Sequence, residues 1–164
     1  MLPRAPIESE GTFAGLSGSA ILLGAFVDLA LTEIFTRLLV LWLVPDVMSQ
    51  DQAAVRRAVA ELVASNAYLA GNIAIGALCT VVGAFIGARR AGQLQVRHGG
   101  WIAVASQAIG VLLMALLPAP SEEVTEYPLW AEAVGWLLVL PAGMTGGALA
   151  AALPAAPRGR TRQP

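Results

Sequence analysis

The sequence predicts an all-α fold, a polytopic transmembrane bundle of four helices, on three observations. Of 164 residues, 57% are hydrophobic and only 13% are charged, against about a quarter charged in ordinary soluble domains. Four apolar stretches approach or exceed the length of about 20 residues that crosses a hydrocarbon core. Between them, prolines and charges gather in short links, as where a chain turns at a membrane surface. The expected organisation is a cytoplasmic tail over 1–13, a four-helix transmembrane domain over 14–153 and a basic cytoplasmic tail over 154–164.

The first tail holds Pro3, Arg4, Pro6, Glu8 and Glu10. It lacks the basic start, short apolar core and small-residue cleavage site of a signal peptide, so the first apolar run is expected to persist as a helix. That run, Ala14 to Val44, can be capped by Thr12 or Ser17 and is stopped by Pro45 and Asp46. It exceeds the hydrocarbon thickness and must tilt, project or break near Gly15 and Gly18. Trp42 fits an aromatic belt at its far end.

Ser49-Gln50-Asp51-Gln52 reads as a capping box opening one uninterrupted helical pattern as far as Arg90. That is too long for one crossing. Its first turns, with Asp51, Arg56, Arg57 and Glu61, are expected in water or at the interface, and Leu62 to Ile86 form the second span. The third, Trp101 to Leu117, carries Ser106 and Gln107 and is stopped by Pro118 and Pro120. The fourth, Leu129 to Leu149, opens among Tyr127, Trp130 and Trp136, with Glu132 at the interface. Pro141 inside it frees a backbone carbonyl one turn earlier, which predicts a helix kink or unwinding between Leu137 and Gly143. Gly146 and Gly147 allow close packing or early fraying. Short links favour an up-and-down arrangement.

Arg89, Arg90, Arg97 and His98 flank the link between the second and third spans, whereas Glu122, Glu123 and Glu126 fill the next one and Arg158, Arg160 and Arg162 the last tail. The positive-inside rule then places both termini in the cytoplasm, with the bacterial inner membrane as the expected location. Arg89, Arg90 and Arg97 are positioned for anionic lipid headgroups, at about 1 kcal/mol each. His98 reads as an interfacial or capping residue, since no second histidine exists to complete a metal site. Cys79 is the only cysteine, which excludes an intrachain disulfide and a cysteine-ligated cluster. A net charge of −1 gives no footprint for nucleic acid. No cofactor, no metal and no catalytic constellation is expected; membrane lipids are.

The candidate functional residues concentrate in the first span, where Asp28, Glu33 and Arg37 each face a lipid penalty of roughly 2.5–3.5 kcal/mol. Glu33 and Arg37 stand one turn apart in the favourable order for an ion pair. Arg37 can snorkel toward the interface near Trp42 and draw Glu33 with it, or both can enter a shared polar cavity. Asp28 has no cation one turn away and shares a stripe with Gly24 and Thr32. Its partners within reach are Asn66, Asn72, Thr80 or Gln107 on other helices. Two readings stand side by side: a neutral carboxyl hydrogen-bonded to a neighbouring helix, or a proton or cation site. In the second span Asn72, Gly76, Thr80, Gly83 and Gly87 form one small, weakly polar stripe, with Gly83 and Gly87 as a GxxxG pair for close helix approach.

With GAFVDL in the first span, GAFIGARRAG ending the second, RHGGWIAV opening the third and PLWAEAVGWLLVLPAGMTGGALA in the fourth, the chain resembles small bacterial four-helix membrane proteins of unassigned function. The resemblance rests on Gly24 and Asp28, on Gly83, Gly87, Ala88 and Arg89, on Arg97 and His98, and on Pro141, Gly146 and Gly147. It implies the four-span topology and carries no activity. The function expected first is non-enzymatic: an accessory or structural subunit that associates with itself or with a larger membrane complex. The alternative is a small transporter or ion-conducting oligomer in which Asp28, Glu33 and Arg37 line a polar path and Pro141 makes a movable break.

Overall fold

A computed structural model describes residues 13–43, 51–116 and 128–154, and these fold into helices alone. They are α1 (Gly18–Leu43), α2 (Gln52–Val63), α3 (Asn66–Ala91), α4 (Gln95–Leu116) and α5 (Leu129–Ala152). Four of them, α1, α3, α4 and α5, are long and apolar enough to cross a membrane. The protein is thus an all-α bundle of four spans with integral membrane character. The expected stops and links at Pro45, Asp46, Pro118, Pro120, Glu122, Glu123, Glu126 and Tyr127, and both tails apart from Phe13 and Pro154, lie outside the described residues.

Local chemistry sets the helix ends. Ser17 caps α1, its Oγ accepting from Ala20 N–H at 3.4 Å. The cap of α2 is Asp51, whose Oδ1 accepts from the N–H groups of Ala53 and Ala54 at 2.9 and 2.8 Å. A carboxylate takes up the orphan donors of a first helical turn in this way; the expected capping-box residue Ser49 lies outside the described residues. The single helix expected from Gln50 to Arg90 is in fact two. Ser65 adopts extended backbone and its hydroxyl accepts from Tyr68 N–H at 3.2 Å, so a fresh N-terminus forms at Asn66. The amphipathic α2 is thereby free to leave the axis of α3. At the other end Gly92, at φ 72, is the left-handed cap that closes α3. The next helix starts at Gln95, more than a turn before the expected Trp101.

Around the bundle, α3 shares its broadest faces with α1 and α5, and α4 packs on α5 while also touching α3 and α1. The order is therefore not sequential, and α1 and α5 share no comparable face. Glycine and alanine decide these contacts. A Cβ on Gly83 would stand 2.6 Å from Gly24 O, and one on Gly87 2.6 Å from Ala20 O, so α1 and α3 meet backbone to backbone. A Cβ on Gly99 or Gly143 would strike the carbonyl of the other, which fixes α4 on α5, and one on Gly146 would strike Val81 O of α3. Ile102, fully buried, fills the space between Gly24 and Gly87. Small residues at crossings are what helices in lipid need, because packing rather than water exclusion drives their association.

Pro141 does not unwind α5, which runs helical from Leu129 to Ala152. The Thr145 hydroxyl donates to Pro141 O at 2.7 Å. Ala142, Gly143, Gly146 and Gly147 are buried against neighbours immediately after the proline, and the helix continues through the missing backbone bond.

Candidate functional site

The backbone-to-backbone contacts at glycine lie toward the end where Gly92 turns α3 into α4. At the other end Tyr68, Leu69 and Ala131 are buried, with Leu39, Val40, Leu43 and Ile73 packed against them, and between the two lies a cavity of about 310 Å³. Its floor is Asp28, only 4% exposed. The Thr80 hydroxyl of α3 lies 3.2 and 3.1 Å from the two carboxyl oxygens, and Thr32 donates from one turn further along α1 at 3.4 Å. From α4, Ser106 stands beside the same carboxyl, buried, with its Oγ outside hydrogen-bonding geometry to any group.

Thr80 Oγ1 is also 3.0 Å from Gly76 O in its own helix. One hydroxyl proton cannot serve both acceptors at once. As a carboxylate, Asp28 accepts from Thr80; as a carboxylic acid it donates to Thr80, which then donates to Gly76 O. The floor accommodates either protonation state without moving a side chain.

Higher on the walls stand the amides of Asn72 and Gln107, and from α5 come Glu132 and Trp136, both exposed. Asn72 Oδ1 accepts from the Thr36 hydroxyl at 2.8 Å, a second polar tie between α1 and α3. Leu29, Leu69, Ile73, Leu138 and Val139 supply the apolar walls. Among the described residues no arginine, lysine or histidine lines the cavity.

Of the residues expected to form an intramembrane polar site, the structure brings Asp28, Thr32, Asn72 and Gln107 to this cavity, and it leaves Glu33 and Arg37 out of it. Those two face outward, with 62% and 75% of their side chains exposed, and pair with each other, Arg37 Nε donating to Glu33 Oε1 at 2.7 Å. The expected ion pair is formed: the Arg37 guanidinium turns back one helical turn to Glu33, since helical side chains point toward the N-terminus. Of the expected packing residues, Gly24, Gly83 and Gly87 sit at helix crossings, while Thr80 meets Asp28. Gly76 packs against nothing: a Cβ there meets no atom within 4 Å, because Gly76 lines the cavity.

Among the arginines expected at lipid headgroups, Arg89 is engaged by the protein, donating to Pro154 O at 2.8 Å and Leu153 O at 3.4 Å beyond the C-terminal end of α5. A cation there satisfies carbonyls that α5 leaves open and complements its dipole. Arg90 is exposed and Arg97 half-buried. His98 takes the capping role, at the start of α1. It is fully buried, and its Nε2 accepts from Ser17 N–H at 2.9 Å while Nδ1 lies 3.1 Å from Leu94 O. The two bonds define one tautomer, with the proton on Nδ1, and tie the start of α4 to the start of α1.

The spacing left Ser106, Glu132 and Trp136 unassigned to any site. Ser106 follows Ile102 by one turn, on the buried face of α4, and that periodicity was its one available signal. Among the described residues no group of three or more His, Cys, Asp and Glu side chains is placed to hold a metal ion. Compared with protein-family models, curated proteins and solved structures, the chain matches none of them.

Proposed function

We propose that the chain is a non-enzymatic integral membrane protein that works as a subunit, associating through the outer face of α1 with itself or with a larger membrane complex. The Glu33–Arg37 pair carries this reading. Measured along α1 from its midpoint, Glu33 lies about 4 Å and Arg37 about 10 Å away at 1.5 Å per residue, well inside the hydrocarbon half-thickness of about 15 Å. An ion pair that faces outward at this depth has no water to solvate it, and pairing recovers only part of that loss. A second protein surface laid over it would supply the missing hydrogen bonds. Leu22, Phe26, Ile34 and Leu41, exposed on the same side of the helix, extend the face. The bacterial inner membrane with both termini in the cytoplasm remains the setting of this proposal, and Arg90 and Arg97 remain its headgroup contacts.

The test is the mass of the protein in native nanodiscs. The expected result is an assembly larger than one chain that dissociates in the Glu33→Leu/Arg37→Leu double variant, which leaves no charge on that face. A strictly monomeric native species with no co-purifying protein would refute it.

The alternative, a small transporter, is favoured by a separate observation: a buried carboxyl, Asp28, at the floor of a cavity among the spans. Glu33, Arg37 and a break at Pro141 have no part in it. Reconstituted solute flux that is lost in Asp28→Asn would favour this second reading.

A further inference from the structure

We propose that the cavity between the four spans binds a small organic cation, a primary ammonium group seated at Asp28 with its apolar body along the walls above. The proposal goes beyond the subunit reading and does not depend on it.

Four features of the cavity select this ligand class. The first is charge: among the described residues the ionisable groups lining it are Asp28 at the floor and Glu132 at the rim, with no basic side chain to receive an anion. The second is an unmet hydrogen bond. Ser106 is 4% exposed and stands beside the Asp28 carboxyl, with its Oγ outside hydrogen-bond geometry to any group. An ammonium carries three N–H donors and no acceptor. The floor offers matching oxygens from separate elements: the Asp28 carboxylate of α1, Ser106 Oγ of α4 and Thr80 Oγ1 of α3. A neutral amide or alcohol could fill the Ser106 bond but would leave the carboxylate uncompensated.

The third feature is size. At about 310 Å³ the cavity falls at the lower end of ligand pockets, which run from about 300 to 1,000 Å³. A bare metal ion would leave most of that space empty, whereas an ammonium with a short alkyl or aryl body fills it. The fourth is the wall. Leu69, Ile73 and Val139 give an apolar lining, and Trp136, at the exposed rim, adds an indole, the aromatic ring that attracts cations best. Protonation of Asp28 supplies a means of release, since the carboxylic acid satisfies Thr80 and Gly76 O within the protein, as described above.

The test uses the full chain in lipid nanodiscs with n-butylammonium as the probe, n-butyramide and n-butyrate as neutral and anionic matches, and Na⁺ as the inorganic cation. Binding is read by calorimetry against empty nanodiscs. Butylammonium is expected to saturate, Asp28→Asn to weaken it by about tenfold or more and Ser106→Ala by about threefold. Gly76→Leu projects into the cavity from a position where an added Cβ meets no atom within 4 Å, so it is expected to abolish binding while the thermal transition stays near that of the native protein. This second variant answers the case in which Asp28→Asn fails to fold. Saturable binding of butyramide, butyrate or Na⁺ in place of butylammonium, with loss in Asp28→Asn, would overturn the ligand class and keep the site. Absence of saturable binding by every probe, or butylammonium binding indifferent to Gly76→Leu, would overturn the site as well.

Discussion

The two halves of the bundle solve opposite problems with the same helix. From Thr80 to Gly87, α3 lies so close to α1 that glycine is the only residue the crossing at Gly83 and Gly87 admits. At Gly76 the same stripe of α3 faces open space, and beyond it contact with α1 resumes through side chains: the Thr36–Asn72 hydrogen bond, and Leu39 and Val40 against the Tyr68–Leu69 cluster. Asp28 stands at the border, its Cβ against Gly83 and its carboxyl toward the cavity. Glycine crossings on one side and side-chain packing on the other hold the helices in registry around the polar cavity between them.

Paired substitutions in the two halves put this contrast at risk. The largest effect is expected from Gly83→Ala, whose new Cβ would stand 2.6 Å from Gly24 O. Backbone cannot yield as a side chain can, so a loss of about 3 kcal/mol is expected, read as a lowered thermal midpoint in detergent. Next comes His98→Ala, which strips the buried acceptor from Ser17 N–H and the bond near Leu94 O. A loss of about 1–3 kcal/mol is expected by the same measurement, with faster amide exchange at the first turn of α1. Smallest is Gly76→Ala in the cavity half. With nothing near the new methyl group, the change is expected to be neutral or to stabilise by up to about 1 kcal/mol through the gain in helix propensity. If Gly76→Ala cost as much as Gly83→Ala, the two halves would not differ in packing and the contrast would fail.

Much of this was legible in the residues. Hydropathy and the proline and glycine punctuation located four spans, because the bilayer imposes its thickness on every helix that crosses it. Gly83 and Gly87 announced a close crossing, and Asp28 announced a site, since an acid in lipid requires a reason. The break between α2 and α3 was hidden: Ser65 is the cap, and no proline or glycine stands near it. Gly76 shares the stripe and the spacing of Gly83, yet one faces a void and the other a backbone carbonyl. Ser106 looked like the incidental polar content of a short span. Pro141 carried the right chemistry for a break, yet α5 continues helical through it.

The sequence by itself determined the class of the protein, the number of its spans and the ionisable residues inside them, all of which follow from each segment's own transfer into lipid. Only the tertiary structure decided which face each charge took. Asp28 and Glu33 are five residues apart on one helix, and one lies against three neighbouring hydroxyls while the other points outward to Arg37. That difference comes from the order of the helices around α3, and that order depends on contacts between segments distant in the chain, which no local pattern records.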